Sequence, residues 1–189
     1  MTKTMVLVLS AMLAAGCVAN PQLAPRPGGN PEQVDLSGRW MLRNGSERAV
    51  SNEQTIRIPP PAGIRGPTYE RPRARKSLSD GSALRVFLQS GRSLKVTQTD
   101  YGLFFSFDRA IVEEYNFGEN RKVSVGPIEG QRVSGWDGRA FVTETMDADG
   151  NVLTELWRLE EGGDLLVRDV SIGDESAVEF STQQVFVRR

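Results

Sequence analysis

From residue 83 to the C-terminus the chain is cut into short strand-like runs by turn residues at close intervals. The runs are Ala83–Gln89, Ser93–Thr99, Leu103–Phe107, Ala110–Asn116, Arg121–Val125, Gly130–Trp136, Arg139–Met146, Val152–Leu159, Asp164–Ile172 and Ala177–Val187. Between them stand Ser90-Gly91-Arg92, Asp100-Tyr101-Gly102, Gly118-Glu119-Asn120, Asp137-Gly138, Asp149-Gly150, Gly162-Gly163 and Gly173-Asp174-Glu175-Ser176. An Asp-Gly pair between two such runs is a strong hairpin signal, because a two-residue turn that matches the twist of its strands needs positive φ. Ile111-Val112-Glu113-Glu114 also fits a helical turn, but its place in the series assigns it to a strand. A meander this long leaves exposed edges unless it closes. The cadence therefore predicts an all-β chain, an antiparallel up-and-down barrel of about eight to ten strands.

The N-terminus gives an address rather than a fold. Lys3, an apolar run from Met5 to Leu13 and the small residues Ala14, Ala15 and Gly16 have the order of a secretory signal. The apolar run is well short of the roughly 20 residues that cross a bilayer as a helix. Leu13 to Cys17, L-A-A-G-C, resembles the bacterial lipoprotein signal, with Ala14 where the common pattern has Leu. That resemblance implies cleavage after residue 16 and acylation of Cys17. Val18, in place of Asp, implies transfer to the outer membrane, with the chain facing the periplasm. Cys17 is also the sole cysteine, so it cannot close an internal disulfide, and lipidation gives an otherwise exposed thiol a use. Two acyl chains and a third on the new N-terminus supply stable attachment where one would be marginal.

Residues 17–35 hold four prolines and two glycines with no apolar period and read as an extended, partly stiff tether. At roughly 3 Å per extended residue such a span lifts a domain some tens of Å from the bilayer. The domain, residues 36–189, begins with Leu36-Ser37-Gly38-Arg39-Trp40, and a second strand is expected over Gln54–Ile58. Pro59, Pro60 and Pro61 stop that strand, since none can donate to a ladder. Residues 59–82 then form a Gly-, Pro- and Arg-rich loop insertion carrying Arg65, Arg71, Arg73, Arg75 and Lys76. This segment is either a basic patch for an anionic partner or a solvated loop.

Composition narrows the chemistry. There is no histidine, which removes the commonest general base and metal ligand together and excludes the usual nucleophilic triads. No phosphate loop, dinucleotide fingerprint or zinc-protease motif is present, so no cofactor, metal or catalytic residue is assigned. The expected product is not an enzyme. Loss of Lys3 with the signal leaves 22 basic against 24 acidic side chains, a balance unlike that of a nucleic-acid binder. Asp147, Asp149 and Asn151 alternate, but an EF-hand counted from Asp147 would need Gly and Glu where Val152 and Arg158 stand. A hairpin turn explains them.

Three residues are candidates for a ligand site. Glu155 and Trp157 share a strand face with Leu153 and Leu159, because alternate residues point the same way. If that face is interior, Glu155 needs a donor; it is a ligand-orienting acid or half of a structural ion pair. Leu103, Phe105 and Phe107 lie on one face of their run and Phe104 on the other, which predicts a strand covered on both sides. Gly38 and Trp40 form a G-x-W pair similar to the opening motif of lipocalin-related barrels, whose Trp plugs one end of a cavity. Core packing explains a Trp there equally well. The stretches Gly135–Thr145, Thr154–Leu159 and Asp164–Arg168 resemble a group of lipocalin-like bacterial envelope proteins, many of them lipoproteins without assigned activity. The resemblance implies a lipid-anchored barrel that binds a small apolar or amphipathic ligand; the alternative is a non-catalytic structural or interaction protein with a packed barrel.

Overall fold

The computed structural model describes residues 22–44, 48–51, 82–174 and 176–189. Cys17, the strand expected at Gln54–Ile58 and the basic segment with Arg65, Arg71, Arg73, Arg75 and Lys76 lie outside the described residues. The elements are β1 (Gly38–Leu42), β2 (Arg48–Ser51), a 3₁₀ helix (Ser82–Phe87), β3 (Ser93–Gln98), β4 (Gly102–Phe107), β5 (Ile111–Asn116), β6 (Glu119–Val125), β7 (Ile128–Asp137), β8 (Ala140–Met146), β9 (Val152–Glu160), β10 (Leu165–Gly173) and β11 (Val178–Arg188). A second 3₁₀ turn, Glu161–Gly163, joins β9 to β10.

The expected antiparallel barrel forms, as one sheet in the order β5-β4-β3-β1-β11-β10-β9-β8-β7-β6. First and last strands close on each other through Trp40↔Arg188, Met41↔Val187 and Leu42↔Phe186. β2 pairs with β11 further along, from Gln183↔Arg48 to Phe180↔Ser51, so β1 and β2 lie one after the other against the same strand. The ladder ends at β5 and β6. These are neighbours in sequence, joined by a turn in which Gly118 has φ +73°. The expected Asp-Gly hairpins are present, with φ +56° at Gly138 and +89° at Gly150, a backbone region that glycine enters without steric cost.

Two apolar clusters fill the interior at different heights. One joins Leu36, Trp40, Leu94, Val96, Leu103, Phe105, Phe107, Tyr115, Trp136, Phe141, Trp157, Leu166 and Phe186. Its rings interlock: Phe105 lies 4.5 Å from Trp157 between centroids, and Trp136 packs edge-on to Phe141 at 5.6 Å. The other joins Leu84 and Phe87 of the 3₁₀ helix to Leu153, Val170 and Ile172. Ala83–Gln89 is thus a helical plug and not the strand its sequence suggests. Leu84 and Phe87 are buried while Val86 is 41% exposed, because three residues per turn place i and i+3 on one side. The alternation Leu84, Val86, Leu88 imitated a strand. β4 also departs from expectation, with Leu103, Phe105 and Phe107 buried and Phe104 only half-buried on the outer face.

The G-x-W pair has a local physical cause. A Cβ on Gly38 would stand 2.7 Å from Arg188 Nη1 and 3.2 Å from the Trp40 ring. That space is filled by the Arg188 guanidinium stacked 4.2 Å above Trp40, a cation–π contact at the strand closure. Trp40 is 1% exposed and donates from Nε1 to the Leu36 carbonyl at 3.2 Å.

The N-terminal segment is extended, as its prolines dictate, but from Gln22 onward it is not a free tether. Leu23 N donates to Gln131 Oε1 at 2.9 Å, and Trp136 N donates to the Pro27 carbonyl at 3.2 Å. Arg26 pairs with Glu144 at 3.0 Å, and Val34 is buried. Prolines remove donors without removing acceptors, so a Pro-rich strap can dock through its carbonyls and its few free N–H groups. If Leu84 seats the plug, Leu84→Ala will lower the unfolding free energy by about 2–5 kcal/mol while Val86→Ala changes it by less than about 0.5. Denaturant titration reads both values, and equal effects would contradict the plug.

Candidate functional site

Between the two apolar clusters lies a layer of buried polar groups, built from inward positions of five strands. Alternation along β9 aims Leu153, Glu155 and Trp157 inward, and all three are buried. On β10, Arg168 stands opposite Trp157 and two residues from the partner of Glu155. The diagonal brings its guanidinium to Glu155: Nε donates at 2.9 Å and Nη2 at 2.5 Å to the same Oε2. Nη1 donates to Gln184 Oε1 on β11 at 2.9 Å and to the Gln89 carbonyl at 2.7 Å. The guanidinium also lies 4.8 Å from the Trp157 ring centroid. Glu155 is therefore half of a structural ion pair, and the pair fastens the end of the 3₁₀ plug through Gln89.

The other two candidates are packed. Trp157 is 1% exposed among Phe105, Phe107 and Phe186, and its Nε1 finds no acceptor among the described residues. Trp40 is packed in the first cluster, under Arg188 and among aromatic side chains. Asp147 accepts from the backbone N–H groups of Asp149 and Asn151 at 3.0 and 2.9 Å. This is the hydrogen bonding of a turn.

A second buried arginine is placed differently, and sequence reasoning missed it. Arg132 projects inward from β7 and is 5% exposed. Its Nε donates to Thr145 Oγ1 at 3.1 Å, and its guanidinium lies 5.3 Å from the Tyr115 ring and 5.7 Å from the Phe87 ring. The nearest carboxylate, Glu113 on β5, stands 3.7 Å from Nη1. Among the described residues neither Nη1 nor Nη2 makes a hydrogen bond of ordinary length, whereas every nitrogen of Arg168 does. In place of partners, Arg132 has a cleft of about 390 Å³, lined by Phe87, Gln89, Glu113, Arg132 and residues 121–125. The cleft sits on the seam where β5 and β6 fail to pair.

Near the turn that seam is stitched by other groups. Ser134 Oγ donates to the Asn116 carbonyl at 2.7 Å, Asn116 N to Glu119 Oε2 at 3.2 Å and Arg121 Nη2 to the Glu114 carbonyl at 3.3 Å. Toward Val125 the stitching ends and the cleft opens. The charged side chains on the Arg132 face of its wall are Arg121 and Arg132 against Glu113, with apolar flanks at Phe87, Val123 and Val125. Burial raises the Glu113 pKa; Arg132 opposes that rise and Glu155 adds to it. Burial also pushes the Tyr115 hydroxyl well above its ordinary range, with Glu155 adding to that shift.

A carboxyl group that holds its proton more tightly folded than unfolded contributes stability below its ordinary value, 4.5. That contribution is lost as the pH rises through the folded value. Relative to Glu113→Gln, the native chain should therefore lose unfolding free energy as the pH rises from the ordinary value of 4.5 to the raised folded value. A pH-independent difference would show that Glu113 is not held at a raised pKa.

No family model and no curated protein matches the chain. Solved structures similar to it include a REP1-NXSQ fatty acid transporter, at 9% identity and TM-score 0.45 over 82% of this chain and 96% of that one. A secretory abundant heat soluble protein from Ramazzottius varieornatus aligns at 14% identity and TM-score 0.45, over 81% and 94%. A luciferase domain from the dinoflagellate Lingulodinium polyedrum aligns at 15% identity and TM-score 0.49, over 89% of this chain and 47% of that one. Similarities this low carry no inference about ligand or activity.

Proposed function

We propose that this chain is a non-catalytic, lipid-anchored envelope protein that binds a small amphipathic ligand at the seam between β5 and β6. The observation that carries the reading is the cleft of about 390 Å³ opening onto a buried, under-partnered arginine. Its size falls in the roughly 300–1,000 Å³ range of small-molecule sites. The aromatic filling behind Trp40 directs the ligand to the side of the barrel, away from a deep central cavity. The same filling is what a purely structural or interaction lipoprotein would have, and that is the competing reading.

The anchor rests on the L-A-A-G-C signal at Cys17 and on the absence of any other cysteine. With the strap held from Leu23 onward, the span from Cys17 to Gln22 is bounded at under about 20 Å by covalent geometry. A chain anchored at Cys17 would hold its barrel close against the bilayer, where amphiphiles are concentrated, rather than tens of Å above it.

Two measurements test this. Cys17→Ser should leave the leader uncleaved or release the chain from the outer-membrane fraction; unchanged processing and fractionation would overturn the anchor. Calorimetric titration of the full chain, in phosphatidylcholine nanodiscs with empty discs subtracted, should detect saturable binding of eight-carbon amphiphiles. Absence of binding by charged and uncharged probes alike would favour the packed, structural barrel.

A further inference from the structure

We propose that the seam cleft selects a single-chain amphiphile with an anionic head, which Arg132 holds through the guanidinium donors that Glu113 leaves unused. The inference rests on the ligand-binding reading above and adds the chemical class of the ligand and the residue that reads it. Four features of the site support it.

The first is the contrast between the two interior arginines. Arg168 is saturated by Glu155, Gln184 and the Gln89 carbonyl. Arg132 is buried nearly as deeply, and among the described residues it has one hydrogen bond, to Thr145, and a carboxylate at 3.7 Å, beyond hydrogen-bond distance. No Arg132 nitrogen is among the buried polar atoms left without a partner, so its Nη donors face the cleft, where an entering acceptor can reach them. An oxyanion with two acceptor oxygens suits its geometry, since carboxylate, sulfonate and phosphate accept two parallel N–H bonds from the fork.

The second feature is the charge around it. Arg121 stands opposite Arg132 in the β6–β7 ladder and adds a cation to the wall, Lys122 turns to the other face of β6 with Gln131, and Glu113 is the wall's one anion. Arg121 is partly neutralised by Glu119 at 3.1 Å, while Lys122 is exposed. The third is the position of the apolar surface. Phe87 is buried in the second cluster and Val123 packs on its rim, so a chain leaving the head at Arg132 finds its exposed apolar contact along Val123 and Val125. The fourth is access. β5 and β6 are the two ends of the sheet order and no backbone ladder joins them, so a ligand reaches Arg132 without breaking strand pairing.

Glu113 then acts as an internal competitor. It stands 3.7 Å from Arg132 Nη1, too far for a strong pair; a bound oxyanion would take the guanidinium, and Glu113 would turn outward or take up a proton. Its removal should tighten anion binding, an effect opposite to that expected of a carboxylate which merely orients the arginine.

The test uses the full chain in phosphatidylcholine nanodiscs, titrated with 1-octanesulfonate, 1-octanol, octyltrimethylammonium and inorganic sulfate, with empty discs subtracted. The expected order is octanesulfonate tightest, octanol weaker, and the cation and free sulfate weakest. Arg132→Gln should weaken octanesulfonate by about tenfold or more while changing octanol by less than about twofold. Glu113→Gln should strengthen octanesulfonate several-fold, and it keeps the inference testable if Arg132→Gln does not fold. Equal affinity for all three octyl probes, or an octanesulfonate affinity unmoved by both substitutions, overturns the anionic selection and leaves the amphiphile reading standing. Sulfate binding as tightly as octanesulfonate overturns the amphiphile in favour of a small-anion site. No binding by any probe overturns both readings.

Discussion

The ion pair between Arg168 and Glu155 is the contact on which the rest of the interior depends. Two charges buried between apolar clusters are tolerable only when each is fully partnered. Here the strands supply the partners: β9 gives Glu155, β11 gives Gln184, and the exit of the 3₁₀ plug gives the Gln89 carbonyl. The pair thus does more than neutralise itself. It ties the plug to the barrel wall and holds Leu84 and Phe87 over Leu153, Val170 and Ile172. With that end seated and the other filled behind Trp40, the cleft assigned to the proposed function is at the side.

That side opening follows from how the sheet is closed. β1 against β11 joins the first and last strands, and each remaining strand pairs with its neighbour until the series runs out between β5 and β6. Two consecutive strands are left unladdered, and their hairpin is bridged by side chains of Ser134, Glu119 and Arg121. Side-chain bridges reach only a short way from the turn, and beyond them stand Glu113, Arg132 and the cleft. The second interior arginine is thereby left at a place where the protein completes it poorly.

Much of the barrel was legible in the sequence because its signals are local. Asp137-Gly138 and Asp149-Gly150 fix hairpins wherever they occur, and the row Leu153, Glu155, Trp157 announces an inward face by period alone. The plug was misread because Leu84, Val86 and Leu88 alternate as a strand would, and only the burial of Leu84 and Phe87 together separates the two. The strap was misread because prolines signal a linker whether or not their carbonyls find donors. Arg132 was invisible for a different reason. Its meaning depends on which strands fail to pair, and pairing around a closed barrel is non-local. The alternation of β7 places Arg132 inside, but nothing nearby in the chain says that Glu113 will stop short of it.

The central claim is that the β5–β6 seam is the open, ligand-responsive part of an otherwise packed barrel. Hydrogen–deuterium exchange resolved along the chain tests it most directly, because an unladdered strand edge exchanges faster than an interior ladder. The account predicts faster exchange in Ile111–Asn116 and Glu119–Val125 than in Val152–Glu160 and Leu165–Gly173, with added octanesulfonate slowing exchange in the seam strands and around Phe87. Equal protection of all four segments without ligand, or slowing confined to strands away from the seam, would contradict it.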